Sequence, residues 1–182
     1  FLQSALATLQ RQHPELEIVG LGLDFSTRLE LPAGAVAADG ARVLFYPGSS
    51  IGNFTPAEAR VFLRSVHAAC GPAAGSGLLI GVDLVKDAGE LEAAYDDALG
   101  VTAAFNKNVL TVINRQLDAD FDTDSFAHVA CWDPDAEWIE MRLRSLVDQQ
   151  VAVGDLDLGV RFVAGEEMRT EISAKFRREG VA

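Results

Sequence analysis

The 182 residues are 49% hydrophobic and carry 27 acidic against 15 basic side chains, a formal charge of -12. A field of that sign repels phosphate backbones and anionic lipid, which argues against nucleic acid and membrane surfaces as partners. The longest apolar run, residues 77–85, is strand-sized and too short to cross a bilayer. Cys70 and Cys131 have neither metal-ligand spacing nor the pattern of a disulfide framework. One soluble unit, or one domain and part of another, in a reducing cytoplasmic setting is expected.

In chain order, Leu2, Leu6 and Leu9 recur at helical spacing until His13-Pro14 ends the pattern. No initiator Met opens the chain and Phe1 falls inside that helical period, so the sequence reads as a piece of a longer protein. Residues 16–25 read as a strand closing on Asp24, and residues 42–46 as a second strand running into the loop 47–53. Thr55, Pro56 and Glu58 form a strong helix start, with cap, first-turn proline and capping-box partner. Phe62, Val66 and Ala69 mark its apolar stripe, and Gly71-Pro72 stops it. A third strand is expected over 78–84. Strand, helix and strand with nearly continuous apolar strands predict a buried parallel sheet in an α/β fold.

After Val85 the character changes. Helices are expected around 90–98 and 101–117, the second with Val101, Phe105, Val109, Val112 and Leu117 on one side. Five runs of period-two alternation follow, at 126–132, 138–146, 151–153, 160–163 and 169–176. Ile139, Met141 and Leu143 share one face of their strand while Glu140, Arg142 and Arg144 share the other, as in an antiparallel sheet with one solvated side. The expected organisation is residues 1–84 as a partial Rossmann-like domain, 85–176 as a helix-plus-antiparallel-sheet domain, and 177–182 as a return segment.

Ligands in open α/β sheets sit beyond the carboxyl ends of the strands, where Asp24-Phe25, the 47–53 loop and Asp83 fall. Asp24 could accept an adenine amino N–H while the ring of Phe25 covers the base; the plainer reading is a turn aspartate before a core phenylalanine. Two glycines and Asn53 just before a helix start could receive a substrate carboxylate, or form an ordinary strand-to-helix turn. Tyr95 is either a half-buried core tyrosine or a hydroxyl at the rim of a site, and Met141 sits on an apolar face where core packing is the default. Glu171 and Ser173 are two apart, so on an extended run they point the same way. A carboxylate beside a hydroxyl can grip a planar ring with one N–H donor and one acceptor nitrogen, such as imidazole. His13, His67 and His128 are scattered and form no ligand set, and the aspartates at 118–124 lack the glycine and glutamate of a calcium loop.

Taken together, Asp24-Phe25 and the segments 48–54, 81–87, 94–108, 114–115, 139–141 and 165–176 resemble the S-adenosylmethionine-dependent histidine Nα-methyltransferases. The product of that family is trimethylhistidine (hercynine), the first intermediate of ergothioneine biosynthesis. The likeness covers nearly the whole chain, and the run 100–106 is compositionally unusual. It implies a class I (Rossmann-like) methyltransferase sheet with an α+β substrate-binding domain. It also implies that Asp24 and Phe25 contact the adenine end of the donor, and that Asn53 and Tyr95 hold the substrate's α-amino and carboxylate groups. Glu171 and Ser173 would grip the imidazole, with Met141 lining the pocket.

S-adenosyl-L-methionine would be the co-substrate, no metal is expected, and the partners would be L-histidine and its Nα-methylated forms, acted on by a monomer. The family's glycine-rich donor loop and its ribose-binding acid should precede Phe1, so these residues alone are expected to bind donor poorly and to be inactive. Two other readings are a related amino-acid or amine N-methyltransferase and a non-catalytic amino-acid-binding remnant. A nicotinamide oxidoreductase is more distant, since its phosphate fingerprint is missing.

Overall fold

A computed structural model describes residues 1–25, 29–32, 34 and 40–180 of the chain. These form two compact units, Phe1–Pro47 with Thr55–Ile80, and Gly48–Phe54 with Gly81–Ala182. Helix and strand are mixed in both. The last two residues of the expected 177–182 return segment lie outside the described residues.

The first unit contains helix α1 (Leu2–Gln12), strand β1 (Val43–Tyr46), helix α2 (Pro56–Cys70) and strand β2 (Gly77–Ile80). β1 and β2 pair in parallel, with Val43 opposite Gly77 and Tyr46 opposite Ile80. α2 begins as its sequence requires. The Thr55 hydroxyl accepts from the Glu58 N–H, and the Glu58 carboxylate accepts in return from the Thr55 N–H. Phe62, Val66 and Cys70 are its buried face, and Gly71 ends it at φ 72°.

The expected strand at 16–25 is not formed. No described strand pairs with this segment, and Leu16, Val19, Leu23 and Phe25 are exposed. Apolar patterning signals a tendency to be buried, but a strand exists only where a neighbour takes up its N–H and C=O groups. The third strand is also shorter than expected. It stops at Ile80, and Leu84 makes a separate parallel bridge to Phe176 within the second unit.

The second unit carries helices α3 (Ala88–Tyr95) and α4 (Val101–Leu117), then strands β3 (Phe126–Asp133), β4 (Trp138–Ser145), β5 (Gln149–Val153), β6 (Leu158–Phe162) and β7 (Glu167–Ala174). β3, β4 and β7 form an antiparallel sheet in that order, and β5–β6 is a separate hairpin. The core gathers Leu110 of α4, Phe121, and Phe126, Leu143, Val151, Val153 and Phe162 from the strands. Phe126 and Phe162 meet edge to face at 5.3 Å between ring centroids.

Of the apolar stripe expected on one side of α4, Val101, Phe105, Val109 and Val112 are exposed and Leu117 alone packs on the core. Val101 and Phe105 are 65% and 66% exposed, whereas Asn106 and Leu110 are buried, with Ile113 and Leu117 packed on the core. Positions 106, 110, 113 and 117 make an equally good helical stripe. Asn106 disguises it, because its amide is wholly satisfied: Nδ2 donates to the Arg142 carbonyl at 3.1 Å and to His128 Nδ1 at 2.9 Å, while Oδ1 accepts from the Thr170 hydroxyl at 2.6 Å.

Thr170 is the extra residue of a β-bulge. Glu171 pairs with Met141 and Arg169 with Arg142, so β7 spends one more residue than β4 between those pairs. Above the bulge Glu167 and Arg169 face the charged side of the sheet; beyond it Glu171 and Ser173 lie opposite Met141 and Ile139 on the other side. Removing the Asn106 amide takes its donor from the half-buried Arg142 carbonyl and from the His128 nitrogen, while the Thr170 hydroxyl keeps its bond to the Met141 carbonyl at 3.0 Å. Each such group costs ~1–3 kcal/mol, so Asn106→Ala is expected to lower stability by about 2–4 kcal/mol, read from urea unfolding of the full-length protein.

Candidate active site

Three segments of the second unit, together with residues 81–83, converge on one cleft of about 390 Å³, lined by Gly48, Ser49, Asn53, Gly81, Val82, Asp83, Tyr95 and Ser173. That volume suits a small-molecule ligand, for which sites run from ~300 to 1,000 Å³.

The first segment is the loop 48–53. Ser49 sits in the left-handed region at φ 56°, donates its N–H to the Gly81 carbonyl, and accepts the Asp83 N–H on its hydroxyl at 2.8 Å. Residues Ser50–Asn53 then make a single 3-10 turn. Gly52 is buried, and a Cβ there would fall 2.7 Å from the backbone oxygen of Ala174 in β7 and 3.1 Å from its nitrogen. Glycine is required here by close approach of two backbones. That approach delivers Asn53, whose Nδ2 donates to Glu171 Oε1 at 2.7 Å. Gly52→Ala therefore is expected to push the loop off β7 and part Asn53 from Glu171. Loss of the 2.7 Å contact in a crystal structure of the variant, with at least about tenfold weaker ligand binding, would be the expected result.

The second segment is the end of α3. The helix is capped by the Asp87 carboxylate, which accepts from the N–H groups of Gly89 and Glu90. Tyr95 is its last residue. Its carbonyl accepts a hydrogen bond from His128 Nε2 at 2.8 Å. Because Asn106 Nδ2 donates to His128 Nδ1, the ring is the tautomer with its proton on Nε2. His128 thus ties Tyr95 to the same asparagine that holds the bulge. Sequence spacing placed His128 in no ligand set, and the structure gives it this supporting role.

The third segment is β7 from Glu171 to its end. Ser173 is buried and its Oγ lies 2.7 Å from Tyr95 Oη. Two residues on, just past the strand, Lys175 is buried with its side chain wholly covered. Its Nζ donates to Tyr95 Oη at 2.7 Å, to Ser173 Oγ at 2.9 Å, and reaches Asp83 Oδ2 at 3.3 Å. Lys175 was not legible as a site residue, since a lysine near the end of an alternating run reads as solvated surface. The spacing 171, 173, 175 was the available signal.

Two carboxylates of the site behave oppositely. Burial alone would raise Asp83, but hydrogen bonds from Lys86 and Lys175, with their charges, outweigh it and hold its carboxyl below the ordinary range. Glu171 is pushed up by burial, and beyond Asn53 no described residue donates to it. An acid whose folded pKa is raised loses stability as pH rises from its unfolded value through its folded one, so at neutral pH the ionised carboxylate is a cost to the fold. Glu171→Gln keeps an acceptor for Asn53 and removes that cost. It is expected to raise the melting temperature by about 1–3 °C near pH 7.5, with a smaller gain near pH 4.

Of the residues singled out from sequence, Asn53, Tyr95, Glu171 and Ser173 come together. Met141 is buried on the inner face of β4 directly opposite Glu171 in the ladder. Asp24 and Phe25 belong to the first unit, where the Phe25 ring is 44% exposed and meets Tyr46 edge-on at 5.9 Å. No group of three or more histidine, cysteine or acidic side chains among the described residues could hold a metal ion. Chemically, the cleft offers a carboxylate that can accept an N–H, hydroxyls that can donate, and an ammonium behind them.

A family model described as histidine-specific methyltransferase, SAM-dependent, matches residues 1–182. The histidine N-alpha-methyltransferase of Mycolicibacterium smegmatis is 51% identical over 180 residues, which cover 99% of this chain and 54% of the relative. That of Mycobacterium tuberculosis is 51% identical over 98% of this chain and 54% of its own length. Ergothioneine biosynthesis protein 1 of Neurospora crassa is 37% identical over 74 residues, 41% of this chain and 8% of its own. The chain thus spans about half the length of the curated bacterial relatives it matches.

Proposed function

The chain belongs to the histidine-specific, SAM-dependent methyltransferase family, and from that premise we propose that the whole protein trimethylates the α-amino group of L-histidine, giving hercynine for ergothioneine biosynthesis. The observation that carries this reading is a cleft lined by Asn53, Tyr95 and Ser173, with Glu171 hydrogen-bonded to Asn53 beside it. Glu171 accepts the N–H of the imidazole ring, Ser173 donates to its bare nitrogen, and Met141 packs along its face. Asn53 spends Nδ2 on Glu171, which leaves Oδ1 to accept an N–H of the substrate amine. Tyr95 donates to the carboxylate.

The donor, S-adenosyl-L-methionine, supplies an activated methyl on a sulfonium with a good leaving group. What this chain's residues must do is orient a neutral amine, whose lone pair is the nucleophile. Orientation of that kind can be worth ~7–11 kcal/mol, so no strong base is needed. An exposed aromatic face at Phe25 next to a carboxylate at Asp24 suits an adenine ring and its amino group. The class I, Rossmann-like sheet is part of the same proposal, supported by the parallel β1–α2–β2 unit. A cytoplasmic setting is in keeping with Cys70 and Cys131, which are both free thiols.

Selectivity would come from Glu171. A buried carboxylate left without its N–H partner is costly, so amino acids with no ring N–H are disfavoured. The test is calorimetric titration of the full-length protein with L-histidine and its Nα-mono- and dimethyl forms, followed by mass spectrometry of the products formed with donor. Saturable binding of all three and conversion to trimethylhistidine are expected. Preference for another amino acid or amine, or binding with no methylation, would overturn the assignment.

A further inference from the structure

The buried ammonium of Lys175 has no part in the reading above, and its bonds give it one. Tyr95 Oη and Ser173 Oγ lie 2.7 Å apart, and each hydroxyl has a single proton. Left to themselves, one would spend its proton on the other, and the pair would show a ligand only one O–H. Lysine has three protons and no lone pair, so it can only donate. It donates to both oxygens, at 2.7 and 2.9 Å, and its third proton faces Asp83 Oδ2 at 3.3 Å. Both oxygens then already hold an accepted bond besides the one they share, so when two acceptors of a ligand draw both O–H protons into the cleft and the Tyr95–Ser173 contact opens, neither oxygen is left without a donor.

We infer that Lys175 is a positioning residue for the amino-acid ligand, converting the Tyr95–Ser173 pair from a self-satisfied couple into two simultaneous donors. The inference rests on the proposed histidine reading, because that ligand needs two donors here: one for the unprotonated ring nitrogen and one for the α-carboxylate. Lys175 itself does not meet the ligand. Its side chain is wholly covered and all three of its protons are committed. Asp83, itself held by Ser49 and Lys86, anchors the ammonium from behind.

A lysine that only braced the strand would lower stability without caring which ligand is present or whether Ser173 is there. The test uses the full-length protein, with calorimetry for L-histidine and for S-adenosylhomocysteine. Lys175→Met is expected to weaken histidine at least about tenfold, as loss of a charge-assisted bond would, and to leave S-adenosylhomocysteine within about twofold. In a Ser173→Ala background the same substitution is expected to cost less than about threefold, because Tyr95 then has no hydroxyl partner to claim its proton. Equal losses in both backgrounds, or no loss in the first, overturn the role of Lys175 while leaving the histidine reading intact. A wild-type protein that does not bind histidine takes both down. If Lys175→Met loses S-adenosylhomocysteine binding through misfolding, Lys175→Gln, which keeps two donor hydrogens, is judged by the same dependence on Ser173: a histidine loss that vanishes in the alanine background supports the inference, and any other pattern overturns it.

Discussion

One surplus residue in β7 organises the second unit. In an unbroken strand, positions 167, 169, 171, 173 and 175 would all face the same way. The molecule needs them on two sides, and Thr170 divides them. Glu167 and Arg169 go to the charged face with Glu140, Arg142 and Arg144, while Glu171 and Ser173 turn to the face of Ile139 and Met141, and Lys175 lies within reach of Ser173, behind the cleft. A bulge is a local irregularity that needs outside support, and here the support is a fully bonded asparagine buried in α4. That asparagine also grips His128, and His128 holds the carbonyl of Tyr95. Strand irregularity and helix end are therefore set by one amide.

The two faces of this sheet show what saturation does to a carboxylate. Burial alone would raise Glu140, but hydrogen bonds from Arg169 and Arg142 outweigh it, Trp138 Nε1 adds another, and the carboxyl is held below its ordinary range. Glu167 is lowered by Arg142 and then by Arg144. Arg142, between them, is driven further towards permanent charge. Glu171 on the opposite face has one neutral donor and is raised. Groups whose partners are all present do structural service; a half-buried carboxylate short of donors is in keeping with a ligand site. The contrast is internal to one strand, with Glu167 and Glu171 only a bulge apart.

Much of the scaffold was legible because it rests on local chemistry. The capping box of α2, its glycine stop, the extent of α4 and the five alternating runs all follow from side chains a few positions apart. The misreadings arose where a partner distant in sequence decides the outcome. Residues 16–25 have a strand's composition but no paired neighbour among the described residues. On α4 the polar Asn106 concealed the buried stripe, since nothing local shows that a carbonyl, a hydroxyl and an imidazole will satisfy it. The shared direction of Glu171 and Ser173 could be read from their spacing, whereas the face they occupy depends on the bulge. Lys175 was invisible for the same reason as Asn106: a charged group reads as surface until its partners are known.

The cleft is therefore polar in a directional sense. A carboxylate stands at Glu171, an ammonium stands behind Tyr95 and Ser173, and Asn53 bridges towards the carboxylate with its amide nitrogen. A ligand that is uncharged overall but carries an N–H at one end and an anionic group at another meets complementary fields at each without importing net charge into the fold. Purely apolar ligands would leave both ends unpaired. An amino acid with a ring that both donates and accepts fits this pattern, which supports the proposed histidine substrate. The same logic makes Gly52 indispensable: any side chain there would hold the Asn53 turn away from β7 and leave the carboxylate with no fixed neighbour at all.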